Sequence, residues 1–195
     1  QIESIAIRNY RLFQDVRMTD IPRLCVLVGA NGTGKSTLFD VFSFLKDALS
    51  MNVTKALARR GGYREVASRG HTDEPIEITL QFRMEIAGHE RLVTYLLRIA
   101  KDPQGHPLIE RGSFGAPYHF LDFAHGKGSA VNNEEDFSKP DEKLTREEQE
   151  LDASDILAIK GLGQFERFKA ASAFRLMIEN WHISDFHVSE ARPSQ

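Results

Sequence analysis

Residues Leu24-Cys25-Val26-Leu27-Val28-Gly29-Ala30-Asn31-Gly32-Thr33-Gly34-Lys35-Ser36-Thr37-Leu38 decide how this chain is read. Five consecutive apolar residues, 24–28, predict a strand buried on both faces, as in the middle of an α/β sheet. Cys25 within that run reads as core filler. Gly29 ends the strand, and residues 36–49 predict a helix, with Leu38, Val41, Phe42, Leu45, Ala48 and Leu49 spaced by three and four. Phe39 and Phe44 lie off that stripe, so the helix should be covered on more than one side. Between strand and helix, residues 29–36 satisfy G-x-x-x-x-G-K-[ST]. Chance would produce that match in under ~1 % of chains this long.

Each residue type in the loop has a physical reason. Gly29, Gly32 and Gly34 let the backbone curl, so that successive N–H groups, those of Asn31 and Thr33 included, point inward at a polyphosphate. A helix starting at Lys35 directs its positive end at the same charge. Lys35 is expected to reach the β- and γ-phosphates as the catalytic cation, and Ser36 to give its hydroxyl to Mg²⁺. Thr37 can donate to the α-phosphate. Nucleotide binding is the reading, with ATP and Mg²⁺ as the expected cofactors.

Outward from the loop, residues 2–18 alternate apolar and polar and predict two short strands joined near Asn9-Tyr10-Arg11. Residues 59–71 read as an exposed glycine-rich loop. Runs at 76–84, 92–100 and 108–114 predict an antiparallel meander, with turns at Gly88-His89 and Asp102-Pro103-Gln104-Gly105; residues 118–123 can add a strand. Residues 126–143 read as a solvated insert, and Thr145 with Glu148 as a capping box opening a short helix. Residues 165–181 predict a helix with one apolar face, and 183–188 a last strand. The expected organisation is a P-loop lobe with its meander over 1–125, an acidic flexible insert over 126–150, and a helix–strand segment over 151–195.

Composition narrows the class. A chain of 195 residues with 41 % apolar content can bury a full core. No apolar run approaches the roughly 18 residues that cross a bilayer, the start lacks a secretory signal, and the lone Cys25 cannot form an internal disulfide, so a cytoplasmic protein without a membrane partner is expected. The net charge of −3 is uneven: residues 132–155 hold ten acids against three bases, and the remainder carries +4. A mildly basic body is compatible with a DNA partner. Arg59, Arg60, Arg64 and Arg69 with Tyr63 could meet phosphates and bases, although a solvated loop near the nucleotide is the simpler reading. The seven histidines show no metal-ligand spacing.

A GTPase would need Asn-Lys-x-Asp, which is absent, and Asp102-Pro103-Gln104-Gly105 has the composition of a hairpin turn rather than of a switch. A small-molecule kinase would follow its P-loop helix with helical lid segments. Three stretches instead resemble the ATP-binding heads of the ABC class, specifically the RecF/SMC/OLD-like ATPases. Ile7-Arg8-Asn9-Tyr10-Arg11-Leu12-Phe13 is similar to that group's first-strand pattern I-x-N-F-R-x-F. Residues 28–38 are similar to its G-x-N-G-x-G-K-S-T-L loop, and Glu77-Ile78-Thr79-Leu80-Gln81-Phe82, Tyr95-Leu96-Leu97-Arg98-Ile99 and Ile109-Glu110-Arg111 to the meander that follows. The likeness covers residues 1–114 well and 160–190 loosely.

The resemblance implies an α/β P-loop NTPase head with a mixed sheet and an antiparallel β arm, and hydrolysis when two heads sandwich ATP. It places Asn9, Tyr10 and Arg11 near base and ribose, Arg11 being the best candidate for a direct contact; ordinary turn and sheet roles are the alternative. Such heads also need an apolar strand ending in Asp-Glu and a Ser-Gly signature helix, and neither is found. Phe120-Leu121-Asp122-Phe123 and Ile183-Ser184-Asp185-Phe186 come nearest, each with Phe where the catalytic Glu belongs, and read better as structural strands. The expectation is therefore the N-terminal part of an ATPase acting in DNA repair, DNA maintenance or phage defence, completed by a missing C-terminal half and a second head. The rivals are a small phosphotransferase complete in this chain and a non-hydrolysing, ATP-regulated binding module.

Overall fold

The computed structural model describes residues 1–30, 32–86, 88–116, 120–132 and 144–183. Strands β1 (Ile2–Tyr10) and β2 (Phe13–Met18) form the predicted antiparallel hairpin, turning through Arg11 and Leu12. Asn9 and Arg11 both take positive φ, 56° and 49°, so the reversal is made by two non-glycine residues held by tertiary bonds.

The segment that follows departs from expectation. Residues 25–30 form no regular structure, and Leu24, Val26 and Val28 are 82 %, 74 % and 91 % exposed. The buried central strand predicted over 24–28 is absent, and Cys25, expected in the core, is exposed. The physical reason is local: no described strand lies alongside to take its N–H and C=O groups or to cover its two faces.

Helix α1 (Lys35–Ser50) is the predicted helix; Val41, Phe44, Leu45, Ala48 and Leu49 are buried, while Phe39 stays 45 % exposed. Two short helices then compact the stretch read as an open loop. Helix α2 (Val53–Ala58) is capped by Asn52, whose side chain accepts the Lys55 N–H at 2.8 Å. Helix α3 (Tyr63–Val66) buries Tyr63 and Val66.

The meander is as predicted: β3 (Ile76–Ile86), β4 (His89–Lys101) and β5 (Pro107–Ala116) pair antiparallel. Asp102 makes the β4–β5 turn, its Oδ1 accepting the N–H groups of Gln104 at 2.9 Å and His106 at 2.8 Å. Strand β6 (Leu121–Ala124) adds to β5.

Two expectations beyond β6 are corrected. Within the predicted solvated insert, residues 127–131 form strand β7 (Lys127–Val131), with Ala130 and Val131 buried. In place of the helix predicted from Thr145 and Glu148 there is strand β8 (Arg146–Glu150), paired with β7 from Val131↔Arg146 to Lys127↔Glu150. A capping box satisfies two N–H groups, whereas this ladder pairs the whole segment and adds a Lys127–Glu150 ion pair at 3.0 Å. Its charged side chains also suit a sheet edge. Residues 133–143 lie outside the described residues.

Helices α4 (Ala158–Leu162) and α5 (Lys169–Glu179) close the fold. The helix predicted over 165–181 is α5, which buries Ala170, Ala171, Phe174 and Ile178. Of the strand predicted over 183–188, residues 184–188 lie outside the described residues. The eight strands form one sheet in the order β2-β1-β3-β4-β5-β6-β7-β8, and every described pairing is antiparallel. Among the described residues, no helix is long and apolar enough to cross a membrane.

One face of this sheet makes the core. Phe174 of α5 stacks against Phe82 and Phe114 at centroid distances of 4.9 and 4.7 Å and tilts against Tyr95 at 4.7 Å. Cross-strand ion pairs join β3, β4 and β5, Arg98 pairing with Glu77 at 3.4 Å and with Glu110. The net effect is an α/β layer whose first hairpin and first helix meet at the glycine-rich loop.

Candidate functional site

The loop is shaped by its glycines and by the β1–β2 hairpin beneath it. Gly34 precedes α1 with φ 95°, and a Cβ there would lie 2.6 Å from Cε1 of Phe13. Gly32 has φ +83° with open space around it, so only its backbone conformation demands glycine. A Cβ on Gly29 would fall 2.8 Å from Thr33 Oγ1. Thr33 Oγ1 donates to Ala30 O at 2.9 Å, closing the curl. The Lys35 ammonium lies within it, donating to Gly29 O at 2.5 Å, Ala30 O at 2.7 Å and Thr33 Oγ1 at 3.3 Å.

Beside this curl opens a cavity of about 240 Å³ lined by Leu12, Gly32, Gly34, Lys35, Ser36 and Thr37. Ser36 is exposed and Thr37 is buried. The cavity thus presents an ammonium, hydroxyls and the free N–H groups at the start of a sixteen-residue helix, a donor set suited to a polyanion. Of the residues singled out by sequence, Gly32, Gly34, Lys35, Ser36 and Thr37 converge here, with Gly29 and Thr33 shaping the curl. Asn31 lies outside the described residues.

The Asn9-Tyr10-Arg11 stretch divides. Asn9 is buried and binds the 68–75 segment: its Nδ2 donates to His71 O at 2.9 Å and Glu74 O at 2.8 Å, and its Oδ1 accepts the Ser68 N–H at 2.9 Å. Tyr10 is also buried, its hydroxyl donating to Asp40 Oδ2 at 2.9 Å. Burial, followed by the Asp40 carboxylate, raises the Tyr10 pKa. Both side chains are held by the fold, which fits the turn-and-sheet role given as the alternative to a place at base and ribose. Arg11 alone remains at the rim, next in sequence to the cavity-lining Leu12, with its Nε 3.0 Å from Asp40 Oδ2 and its side chain 38 % exposed.

The basic stretch is likewise reassigned. Arg60 is buried between α1 and α2, where Nε meets Asp40 Oδ1 at 2.9 Å and a terminal nitrogen meets Asp47 Oδ2 at 2.8 Å. Burial opposes its charge, but the hydrogen bond to Asp47 and the neighbouring Tyr10 and Asp40 outweigh that, and its pKa is raised. Arg59 pairs with Asp47 Oδ1 at 2.8 Å. Tyr63 is packed inward, its phenol pushed up to about 12 by burial. Arg64 and Arg69 of that set are exposed.

Asp122 is excluded as a metal-ordering carboxylate for this cavity. It sits on β6, four strand spacings from β1 in the sheet, roughly 19 Å at ordinary strand separation, and pairs with Arg111 at 3.1 Å. Phe13 and Leu12 are site residues that composition did not single out; their place in the first-strand pattern was the available signal.

The AAA ATPase domain matches residues 1–170. The chain belongs to the AAA ATPase domain family. This ATPase domain is similar to the DNA replication and repair protein RecF of Lactococcus lactis subsp. cremoris (strain MG1363), with 25 % identity over 144 residues, 67 % of this chain and 40 % of that protein. It therefore spans well under half the length of that relative. It also resembles a solved structure from work on the structural biochemistry of ATP-driven dimerization and DNA-stimulated activation of SMC ATPases. That match has 20 % identity and a TM-score of 0.40, covering 55 % of this chain and 67 % of the other. The RecF/SMC-like head expected from the loop and first strand is thus the kind of protein to which the chain is related.

Proposed function

We propose that this chain is the nucleotide-binding lobe of a RecF-like ATPase and takes ATP with Mg²⁺ at the 29–37 loop. The observation that carries the reading is the curl itself, with Lys35 held among its oxygens and an open cavity at the start of α1. Cavity and donor set fit a triphosphate. On binding, the Lys35 ammonium exchanges loop carbonyls for β- and γ-phosphate oxygens. Ser36 Oγ offers a Mg²⁺ ligand, Thr37 and the loop amides hold the α- and β-phosphates, and Arg11 meets the nucleoside end. Mg²⁺ held at Ser36 would supply charge neutralisation to the phosphates.

Hydrolysis needs a carboxylate to orient water, and the cavity lining contains none. The 24–28 run supports completion by further polypeptide: Leu24, Val26 and Val28 are apolar and open to solvent, and the match covers 40 % of the RecF relative. We assign its cover to strands of the ATPase's other half, which also brings the acidic strand, and turnover to pairing with a second head. The RecF likeness and the resemblance of the loop support a cytoplasmic role in DNA repair or maintenance, or in phage defence.

The test is calorimetric titration of the purified chain with Mg-ATP, alongside steady-state hydrolysis. The expected result is one site, lost in Lys35→Ala, with negligible turnover. Failure to bind ATP would contradict the site assignment. Sustained Lys35-dependent hydrolysis would contradict the need for a second half, and a labelled phosphoryl acceptor would favour a kinase.

A further inference from the structure

Asp40 is the most heavily engaged carboxylate near the cavity. It lies on α1 one turn beyond Ser36 and receives Tyr10 Oη on Oδ2 at 2.9 Å and Arg60 Nε on Oδ1 at 2.9 Å. These two partners come from β1 and from the end of α2, so the carboxylate cannot swing. Its third partner is Arg11, paired through Nε at 3.0 Å. Arg11 is fixed at its backbone as well: φ is 49°, and its N–H donates to Val66 O at 2.6 Å. A bulky side chain kept in the left-handed region by such bonds is an over-determined position of the kind that collects at functional sites.

What the clasp leaves open is the argument for a ligand. Among the described residues the Arg11 side chain has Asp40 as its ion-pair partner and makes no further side-chain hydrogen bond, while Leu12 beside it lines the cavity. Because Arg60 also neutralises Asp40, Arg11 can direct its remaining donors outward without stranding a negative charge. An unpinned arginine would lose its rotamer freedom on meeting a ligand, whereas this one has already lost much of it.

We propose that Asp40 is a positioning residue, holding the Arg11 guanidinium at the cavity rim so that its terminal nitrogens meet the base-and-ribose end of the nucleotide. This deepens the assignment of the cavity to ATP and rests on it. Asp40 itself touches no part of the nucleotide; it acts through Arg11.

Binding of Mg-ATP and of Mg-tripolyphosphate to the full chain, measured by calorimetry, tests the proposal with Arg11→Ala, Asp40→Asn, Asp40→Glu, the Arg11→Ala/Asp40→Asn pair and Asp47→Asn. Arg11→Ala and Asp40→Asn should each weaken ATP roughly tenfold, and the pair no further than either alone. All should bind tripolyphosphate within about twofold of the unmodified chain, because the loop that holds phosphates is untouched. Asp40→Glu, which keeps the charge and displaces it, should also weaken ATP selectively and serves if Asp40→Asn does not fold. Asp47→Asn disturbs Arg60 from its other side and should lower the melting temperature without changing ATP affinity.

Unchanged ATP affinity in the Asp40 variants beside a weakened Arg11→Ala would overturn the positioning role. So would equal weakening for ATP and tripolyphosphate. An Arg11→Ala chain that binds ATP normally would overturn the inference while leaving the cavity assignment intact. An unmodified chain that binds neither ligand would remove that assignment first.

Discussion

Strand β3 and the 24–28 run are both rich in branched and aliphatic residues, yet their surroundings are opposite. In β3, Ile76, Ile78, Leu80 and Phe82 alternate with polar residues and are completely buried against the helices. In 24–28 the apolar residues are consecutive, and Leu24, Val26 and Val28 are open to solvent. Alternation asks for one covered face, which α1 and α5 supply; a continuous run asks for two covered faces, and here the Leu24, Val26 and Val28 face is bare while Leu27 opposite is only half-buried. The arm is thus self-sufficient, while the strand leading into the loop carries a pattern written for neighbours.

That contrast can be broken at several points. The largest effect is expected in the aromatic stack: Phe174→Ala should cost about 3–5 kcal/mol, read from urea unfolding, because it empties a site flanked by Phe82, Tyr95 and Phe114. Next is Asn9→Ala, which leaves the Ser68 N–H and several carbonyls of the 68–75 segment without partners; about 1–3 kcal/mol should be lost. Gly34→Ala should cost a similar ~1–3 kcal/mol through its φ of 95° and the Phe13 contact, and should abolish Mg-ATP binding in the same titration. Val28→Ser should stay within about 0.5 kcal/mol, since the residue is 91 % exposed in this chain. A cost as large as that of Phe174→Ala would mean the run is covered after all.

The smallest expected effect concerns the Asp102 turn. The N–H bond from His106 lowers the Asp102 pKa against an opposing effect of burial, with the His106 side chain adding to the lowering. A depressed carboxylate stabilises the fold above its unfolded pKa, and that contribution disappears as pH falls through the folded value. Asp102→Asn should therefore lower the melting temperature slightly at neutral pH, where the ionised carboxylate contributes, and flatten the acid limb of the profile below about pH 4.

Where one periodicity and one local environment agreed, the sequence was legible. The 3.6-residue stripe of α1, the alternation of β3–β5 and the turn at Asp102 each depend on residues close in the chain. Readings failed where tertiary pairing overruled a local signal. Thr145 and Glu148 have a helix start's spacing, but the ladder with β7 recruits the segment. Lys127 to Val131 read as solvated because small and polar residues conceal a strand that buries only Ala130 and Val131. At the site, the glycine and lysine spacing identified the curl, because backbone conformation there is dictated by residue type. Asn9 and Tyr10 share a motif with Arg11, and motif membership cannot distinguish a residue that clamps the hairpin from one that reaches the rim.

Hydrogen–deuterium exchange of the purified chain, with and without Mg-ATP, tests the central claim most directly. The account predicts slow exchange throughout β3 and β4, fast exchange at residues 24–28 in either condition, and protection by nucleotide concentrated at residues 32–37. Slow exchange at 24–28 in the chain alone, or nucleotide protection that bypasses 32–37, would contradict it.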